Sequence, residues 1–316
     1  MTPPHVSVVI PTHNRPDLLQ QTVESVMAQD YPAFDIHVVQ NRTDDVTSSM
    51  IAGLAKDSSV PLRYTCNPGE GPAPSRHLGG MAATGDFIAF IDDDCRASEG
   101  WLAHGVQAFA PGIGLVQGQT CPDPAQPRHY LEKTVNVPEL SVFFETCNIF
   151  YRAEAFRQVG GFTGVFAEKF YGEDTDLGWR VKSAGWQVRF APDALVHHEV
   201  FRQPLKNWLL EAWHLRNLPL LVREWPEMRG AMFCRYFLHR QSAGFAIFVL
   251  GLLLTGLVGP VALLLALPYI WVRSVERGRY ANPVKVVARI LLGLPRASVT
   301  LVALLVGSFG ARSLLL

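Results

Sequence analysis

Residues 242–272, SAGFAIFVLGLLLTGLVGPVALLLALPYIWV, contain no charged side chain. A run of that length has few destinations. Roughly 20 apolar residues cross a bilayer as a helix, whereas a soluble core helix this long seldom lacks a charge. Gly259-Pro260 breaks the run in the middle, so it forms either one tilted, kinked helix or a hairpin of two shorter ones. Basic residues flank it on both sides: Arg229, Arg235 and Arg240 before it, RSVERGR (273–279) after it. Lys and Arg gather on the cytosolic side of a span, and a hairpin keeps both flanks there. Each arm would have about 15 residues, roughly 22 Å of helix, short of the roughly 30 Å hydrocarbon core. The hairpin is therefore expected to re-enter or to thin the bilayer. A second apolar region, 284–311, is interrupted by Arg289 and Arg296. Residues 205–224, LKNWLLEAWHLRNLPLLVRE, suit an amphipathic helix on a membrane surface or a helix that closes the preceding domain.

Ahead of this tail the pattern changes. VSVVI (6–10), DIHVV (35–39), PLRYT (61–65) and 87–91 read as strands, and 16–30, 46–56 and 75–83 as helices between them. Strands alternating with helices predict βαβ units and an α/β fold with a mostly parallel central sheet, where ligands gather at the carboxyl ends of strands. From Trp101 the pattern loosens. Residues 121–128 and 137–139 read as loops, 152–159 and 174–184 as helices, and 186–190 as a strand. The expected division is a catalytic domain over 1–204, a juxtamembrane helical segment over 205–240 and membrane-associated helices over 241–316.

The formal net charge is zero. After Gln241 seven Lys/Arg face one acid, Glu276, which gives +6 for the tail and −6 for residues 1–240. That balance predicts no nucleic-acid partner. The five cysteines are scattered without a C-x-x-C pair, which predicts reduced thiols in a cytosolic compartment. MTPPHVSVVIP reads as a first strand, not a signal peptide.

FIAFIDDDC (87–95) ends an apolar strand in three carboxylates. Alternation along an extended chain puts Asp92 and Asp94 on one side and Asp93 on the other. Two carboxylates together suit Mg²⁺ or Mn²⁺, which completes its shell with waters and substrate phosphates. The plain alternative is a solvated acidic turn. In YGEDTDLGWR (171–180), Glu173, Asp174 and Asp176 open a helix whose N-terminus favours negative charge. Asp174 becomes a general base if it faces the metal site, with Arg180 paired to one of the acids.

VSVVIPTHNRPDLLQQTVESVMAQ, PSRHLGGMAATGDFIAFIDDDC, NIFYRAEAFRQVGGF, YGEDTDLGWRVKSAGW and APDALVHHE occur in order over roughly residues 5–200. Together they resemble family 2 glycosyltransferases of the GT-A fold. The resemblance implies that Asp92, Asp94 and His198 (with His197 adjacent) lie at a metal and that Asp174 is the base. Pro11, Thr12, Asn14, Arg15, Gln40, Arg76, Asp92 and Asp93 would bind the nucleotide-sugar, and Asn148, Glu173 and Trp179 would lie on the acceptor side. Gln40 stands where the family usually has a base-reading Asp. An amide can still bond a base edge, but uracil is no longer implied. His77 replaces the usual Asn of the A-R-N segment.

The function expected is inverting transfer from a nucleotide-diphospho-sugar to a hydroxyl of a lipid-linked or cell-envelope glycan. It would take place at the inner membrane with the catalytic domain cytoplasmic. The cation would stabilise the leaving group and Asp174 would take the acceptor proton. An aspartate-dependent phosphotransferase or phosphatase is a weaker alternative, because DDDCRAS lacks the Thr of D-x-D-x-T. An inactive membrane scaffold of the same fold is another. A dinucleotide oxidoreductase is disfavoured, since PTHNRP follows the first strand where G-x-G-x-x-G would be needed.

Overall fold

Apolar runs stopped by Pro, Gly and Asp fold into short buried strands, and the amphipathic stretches between them into helices that cover the sheet. The computed structural model describes residues 2–42, 44–69, 71–167, 171–275 and 283–316. They form two units, Met1–Arg202 and Gln203–Leu316.

The first unit begins β1 (Val6–Thr12), α1 (Pro16–Met27), β2 (Phe34–Asn41), α2 (Asp45–Asp57), β3 (Leu62–Asn67), α3 (Pro72–Ala82) and β4 (Phe87–Ile91). It continues with β5 (Cys95–Ala97), α4 (Trp101–Gln107), β6 (Ile113–Pro122), β7 (Glu132–Lys133), β8 (Asn148–Arg152) and α5 (Ala153–Gln158). Last come α6 (Glu173–Ser183), β9 (Gln187–His198) and β10 (Phe201–Arg202). Eight strands make one sheet in the order β3-β2-β1-β4-β8-β6-β9-β5. Pairing is parallel at β3–β2, β2–β1, β1–β4 and β6–β9, and antiparallel at the other three junctions. β7 and β10 form a separate two-stranded ribbon.

The strands and helices expected up to Ile91 are present, with ends shifted by a few residues. The loosened stretch after Trp101 hides two central strands. β8 lies antiparallel between β4 and β6. β6 carries glycines where side chains of other elements press in. A Cβ on Gly114 would lie 2.6 Å from Trp186, and one on Gly118 would lie 2.4 Å from the Asn148 amide. Glycines and a buried Gln117 break the apolar alternation that marks a strand.

Close packing of α3 against the sheet positions the site. A Cβ on Gly79 would sit 2.4 Å from Val9, and one on Gly80 would sit 2.6 Å from the Phe156 ring. Arg76, one turn earlier on the same face, is thereby carried to the end of β4.

In the second unit the Trp-rich stretch forms α7 (Leu205–His214) and α8 (Leu218–Glu224), joined by a 3₁₀ turn at Leu215–Asn217. Pro219, in the first turn of α8, cannot continue an α-helical ladder from α7. The uncharged run is a hairpin. α9 (Arg240–Val258) ends at Gly259, whose φ is 75°. A 3₁₀ segment (Pro260–Ala266) and α10 (Leu267–Val275) then return along α9. A Cβ on Gly244 would lie 3.0 Å from the Tyr269 backbone, and one on Gly251 would lie 2.7 Å from the Ala262 carbonyl oxygen. Small residues thus admit the close approach. α11 (Pro283–Ala311) is one helix despite Arg289, Pro295 and Arg296. Segments Arg240–Val258 and Val286–Ala311 are long and apolar enough to cross a membrane, with mean hydropathy 1.9 and 2.0. Of RSVERGR, residues 276–279 lie outside the described residues.

Candidate active site

The carboxyl ends of β1 and β4 open into a cleft of about 430 Å³, lined among others by Thr12, Arg15, Arg76, Asp92–Asp94, Lys133 and His198. The strand stops at Ile91, so the aspartates occupy a turn and do not alternate as expected. All three line the same cleft.

The three aspartates have different sets of partners, with Arg15 common to Asp93 and Asp94. Asp92 Oδ1 accepts from Arg76 Nη2 at 2.6 Å. Asp93 is buried and accepts from Thr12 Oγ1 at 2.7 Å and from Arg15 Nη1 at 3.4 Å. Burial pushes its pKa up to about 6, with the Asp94 charge adding to the rise and the Thr12 hydrogen bond and Arg15 opposing it. Asp94 accepts from Arg15 Nη1 at 2.8 Å and faces His198 Nε2 at 3.4 Å.

Strand register explains that last pair. β5 and β9 are antiparallel with Cys95 opposite His198, and the Glu199 N–H donates to the Asp94 carbonyl at 2.9 Å. His198 Nδ1 lies 2.7 Å from the Glu199 carbonyl oxygen, a contact that needs the proton on Nδ1. A neutral ring then points its Nε2 lone pair at a carboxylate. Two facing acceptors are relieved by a cation between them or by a second proton on the ring. The donor set of Asp94 and His198, with Asp92 beside them, fits a divalent cation. Cys95 Sγ belongs to the same cluster, and burial first, then the Cys147 contact, push the pKa of its thiol up. All five cysteines are free thiols.

Arg76 links the acidic turn to α6. Its Nη1 donates to Glu173 Oε1 at 3.3 Å while Nη2 holds Asp92. Glu173, expected on the acceptor side, is buried and engaged by Arg76 in this structure. α6 starts after Gly172, which has φ 86°, a left-handed conformation that suits glycine. Asp174 follows Glu173 and does not line the cleft. Among the described residues its carboxylate accepts only the Thr175 N–H, at 2.8 Å. Burial first, then the Glu173 charge, hold its pKa well above the usual carboxylate range, with Arg76 opposing. Arg180 pairs with Asp176 at 2.8 Å, as the helical spacing anticipates.

The other expected residues lie as follows. Gln40 is fully buried; its Nε2 donates to Asp44 at 3.0 Å and its Oε1 accepts from the Tyr64 hydroxyl. It does not line the cleft, whereas Asn41 next to it does. Asn14 is exposed with φ 52° and is also absent from the lining, whereas Pro11 is present. Asn148 is a pin in the sheet: Oδ1 accepts from Trp101 Nε1, and Nδ2 donates to the Gln119 and Ala194 carbonyls, each at 2.8 Å. Trp179 is buried edge-on against Phe144 and donates to the Val142 carbonyl at 3.0 Å. His197, beside His198, is pushed towards its neutral form by burial and by Arg96. Lys133 escaped notice in the sequence. It reaches the cleft because β7 pairs with β10, Lys133 opposite Phe201. No local sequence signal marks it.

The sequence model described as "Glycosyl transferase family 2" matches residues 7–171, just over half of the chain. The chain belongs to glycosyl transferase family 2. It is 31% identical over 222 residues to the pre-mycofactocin glycosyltransferase of Mycobacterium tuberculosis, covering 65% of this chain and 44% of that one. It is 32% identical over 117 residues to the GalNAc(5)-diNAcBac-PP-undecaprenol beta-1,3-glucosyltransferase of Campylobacter jejuni, covering 36% and 38%. The aligned part thus spans less than half of either relative. Among solved structures, the mannosyltransferase PcManGT of Pyrobaculum calidifontis, in complex with GDP-Man and Mn²⁺, matches with a TM-score of 0.57 at 16% identity. That match covers 98% of this chain and 87% of that one. This likeness shows the fold, which is of GT-A type. Membership of this family speaks against the phosphatase alternative, while the inactive-scaffold alternative shares the fold and is separated from an active enzyme by a transfer assay.

Proposed function

We propose that this glycosyltransferase moves a sugar, with inversion, from a nucleotide-diphospho-sugar to a hydroxyl of a lipid-linked or cell-envelope glycan acceptor. Its catalytic unit would lie at the cytoplasmic face of the membrane. One observation carries the reading. Three carboxylates and a histidine ring nitrogen converge at the ends of β1 and β4, in a cleft that also holds Arg15, Arg76 and Lys133. The Campylobacter relative's name specifies a diphospho-undecaprenol substrate, and the Pyrobaculum neighbour holds a nucleotide-sugar with Mn²⁺. Both support the class of donor and acceptor. The exposed apolar faces of α9 and α11 support placement at a membrane.

Asp94 and His198, with Asp92, would hold Mg²⁺ or Mn²⁺. When bound, the cation supplies positive charge against the departing diphosphate. Arg15 and Lys133 offer N–H donors to phosphate oxygens in the same cleft. Thr12 and Arg15 fix Asp93, which keeps the turn from spreading under its own charge. Arg76 restrains Asp92 on one side and Glu173 on the other, so it sets the distance between the acidic turn and α6. Asp174 would take the proton of the attacking hydroxyl; its raised proton affinity makes it a stronger base than a surface carboxylate. One base and one displacement invert the anomeric centre. Asn41, on the cleft wall, replaces Gln40 as the amide placed to meet the nucleotide base.

Thermal unfolding with each common nucleoside diphosphate, with and without Mn²⁺, tests the reading. Stabilisation by a nucleotide only when the cation is present is expected. Indifference to every nucleotide in both conditions sinks it.

A further inference from the structure

The second unit contains a cavity of its own, about 110 Å³, walled by α7, by both arms of the hairpin and by α11. At roughly 10–15 Å³ of such space per water, the cavity takes several waters or one tetrahedral oxyanion. Its walls mix two chemistries. Phe245, Tyr269 and Leu301 are apolar, while Arg273 and Arg296 bring two guanidinium groups. Arg296 lies over the Trp208 ring, 4.7 Å from its centroid, and 3.7 Å from Glu211.

Arg273 has only neutral partners among the described residues. Its Nη1 donates to Gln241 at 3.2 Å and its Nη2 to the Arg289 carbonyl at 3.0 Å, while its buried Nε has no partner. Gly293 leaves the space: a Cβ there would lie 2.6 Å from Arg273 Nη2. A guanidinium edge with a buried, unpartnered N–H is costly unless an acceptor completes it. Among the described residues the cavity lining carries Arg273 and Arg296 and no carboxylate. Oxyanions that bind two N–H groups side by side match that edge.

We infer that this cavity binds the terminal phosphate of a lipid, held by Arg273 and Arg296. The source is a lipid because the walls include α9 and α11, the two helices apolar enough to cross a membrane, whose Leu253, Leu257 and Phe309 face outward. An alkyl chain leaving the cavity would meet those faces, whereas a free phosphate would gain nothing from them. The inference stands independently of the transfer reaction, since it concerns binding alone.

The test uses the full chain in detergent without sugar donor. Tryptophan fluorescence and melting temperature are followed against farnesyl monophosphate, dioctanoyl phosphatidic acid, dioctanoyl phosphatidylcholine and inorganic phosphate. Saturable binding of either lipid monophosphate, tighter than of the other two probes, is expected. Arg273→Gln should weaken it by about tenfold or more, whereas Asp94→Asn in the sugar-donor cleft should leave it unchanged. Phosphatidylcholine binding as tightly as phosphatidic acid would overturn the inference, as would inorganic phosphate matching the lipids. A folded Arg273→Gln chain that binds like the parent would do the same. The ranking of probes on the unaltered chain decides the matter even if that variant does not fold.

Discussion

Replacing Arg76 by methionine removes a guanidinium and keeps its aliphatic bulk. The Arg76 side chain is 8% exposed, and its partners Asp92 and Glu173 are 25% and 9% exposed. Asp174 lies close enough to interact with it. The substitution therefore strands at least one buried carboxylate. Removing one member of a buried ion pair costs roughly 3–5 kcal/mol. In a unit this size each kcal/mol moves the melting temperature by about 2–4 °C, so a drop of about 6–20 °C is expected. The pH dependence has a definite sign. Arg76 opposes the rise in the Asp174 pKa, so its loss raises that pKa further. A folded-state pKa above the unfolded one means stability that is present at low pH and lost as pH rises through the folded value. The deficit of Arg76→Met should therefore be largest at about pH 8 and shrink towards about pH 5. Adding Asp174→Asn should recover part of it. Scanning fluorimetry of the purified chain across that range measures all three effects. A variant melting within about 2 °C of the parent at the higher pH, or a deficit that grows towards acid, would show that Arg76 does not hold the two acidic segments together.

Asp174→Asn should bind donor normally while kcat falls about 10²–10⁴-fold, and the acid limb of the pH–rate profile, set above the usual carboxylate range in the parent, should disappear; near-normal kcat would transfer the role to Asp176. His198→Ala should weaken Mn²⁺-dependent nucleotide binding by about tenfold or more, read by calorimetry at several cation concentrations. Lys133→Ala should raise the Kd for nucleoside diphosphate by about tenfold and that for the nucleoside hardly at all. Asn148→Leu should lower stability by about 1–3 kcal/mol through the unpaired Trp101 N–H and two carbonyls, with acceptor preference among surviving molecules unchanged.

The parallel half of the sheet was legible because β1 to β4 are short apolar runs separated by periodic helices, and burial on both faces leaves that pattern intact. The hairpin was legible for a similar reason: the charge-free run and Gly259-Pro260 dictate a break. β6 was not legible. Its glycines exist to admit Trp186 and Asn148, so the residues that make it a strand neighbour are the ones that erase its pattern. Asn148 and Trp179 looked functional because amide and indole groups often recognise ligands. Here both spend their polar atoms on buried backbone carbonyls and, for Asn148, on the Trp101 indole N–H as well, a demand that only the folded contacts reveal.

The acidic triplet shows where sequence reading stops. Like charges in succession suit a cation or a solvated acidic turn, and that much follows from three adjacent aspartates. Their division of labour does not, because it depends on residues far away along the chain. Asp92 is tied to α3 through Arg76, and Asp93 to the end of β1 through Thr12 and Arg15. Asp94 alone meets a histidine, because the antiparallel register of β5 and β9 sets Cys95 against His198. Had Asp93 pointed elsewhere, Thr12 would have lost its acceptor. The turn brings all three to one cleft wall, with Arg15 shared by Asp93 and Asp94 and Arg76 held by Asp92. Under that arrangement Asp93 tolerates replacement by Asn better than Asp94 does, because an amide can still accept from Thr12, whereas a cation facing His198 requires the carboxylate charge. Equal losses of Mn²⁺-dependent nucleotide affinity in Asp93→Asn and Asp94→Asn would contradict this partition.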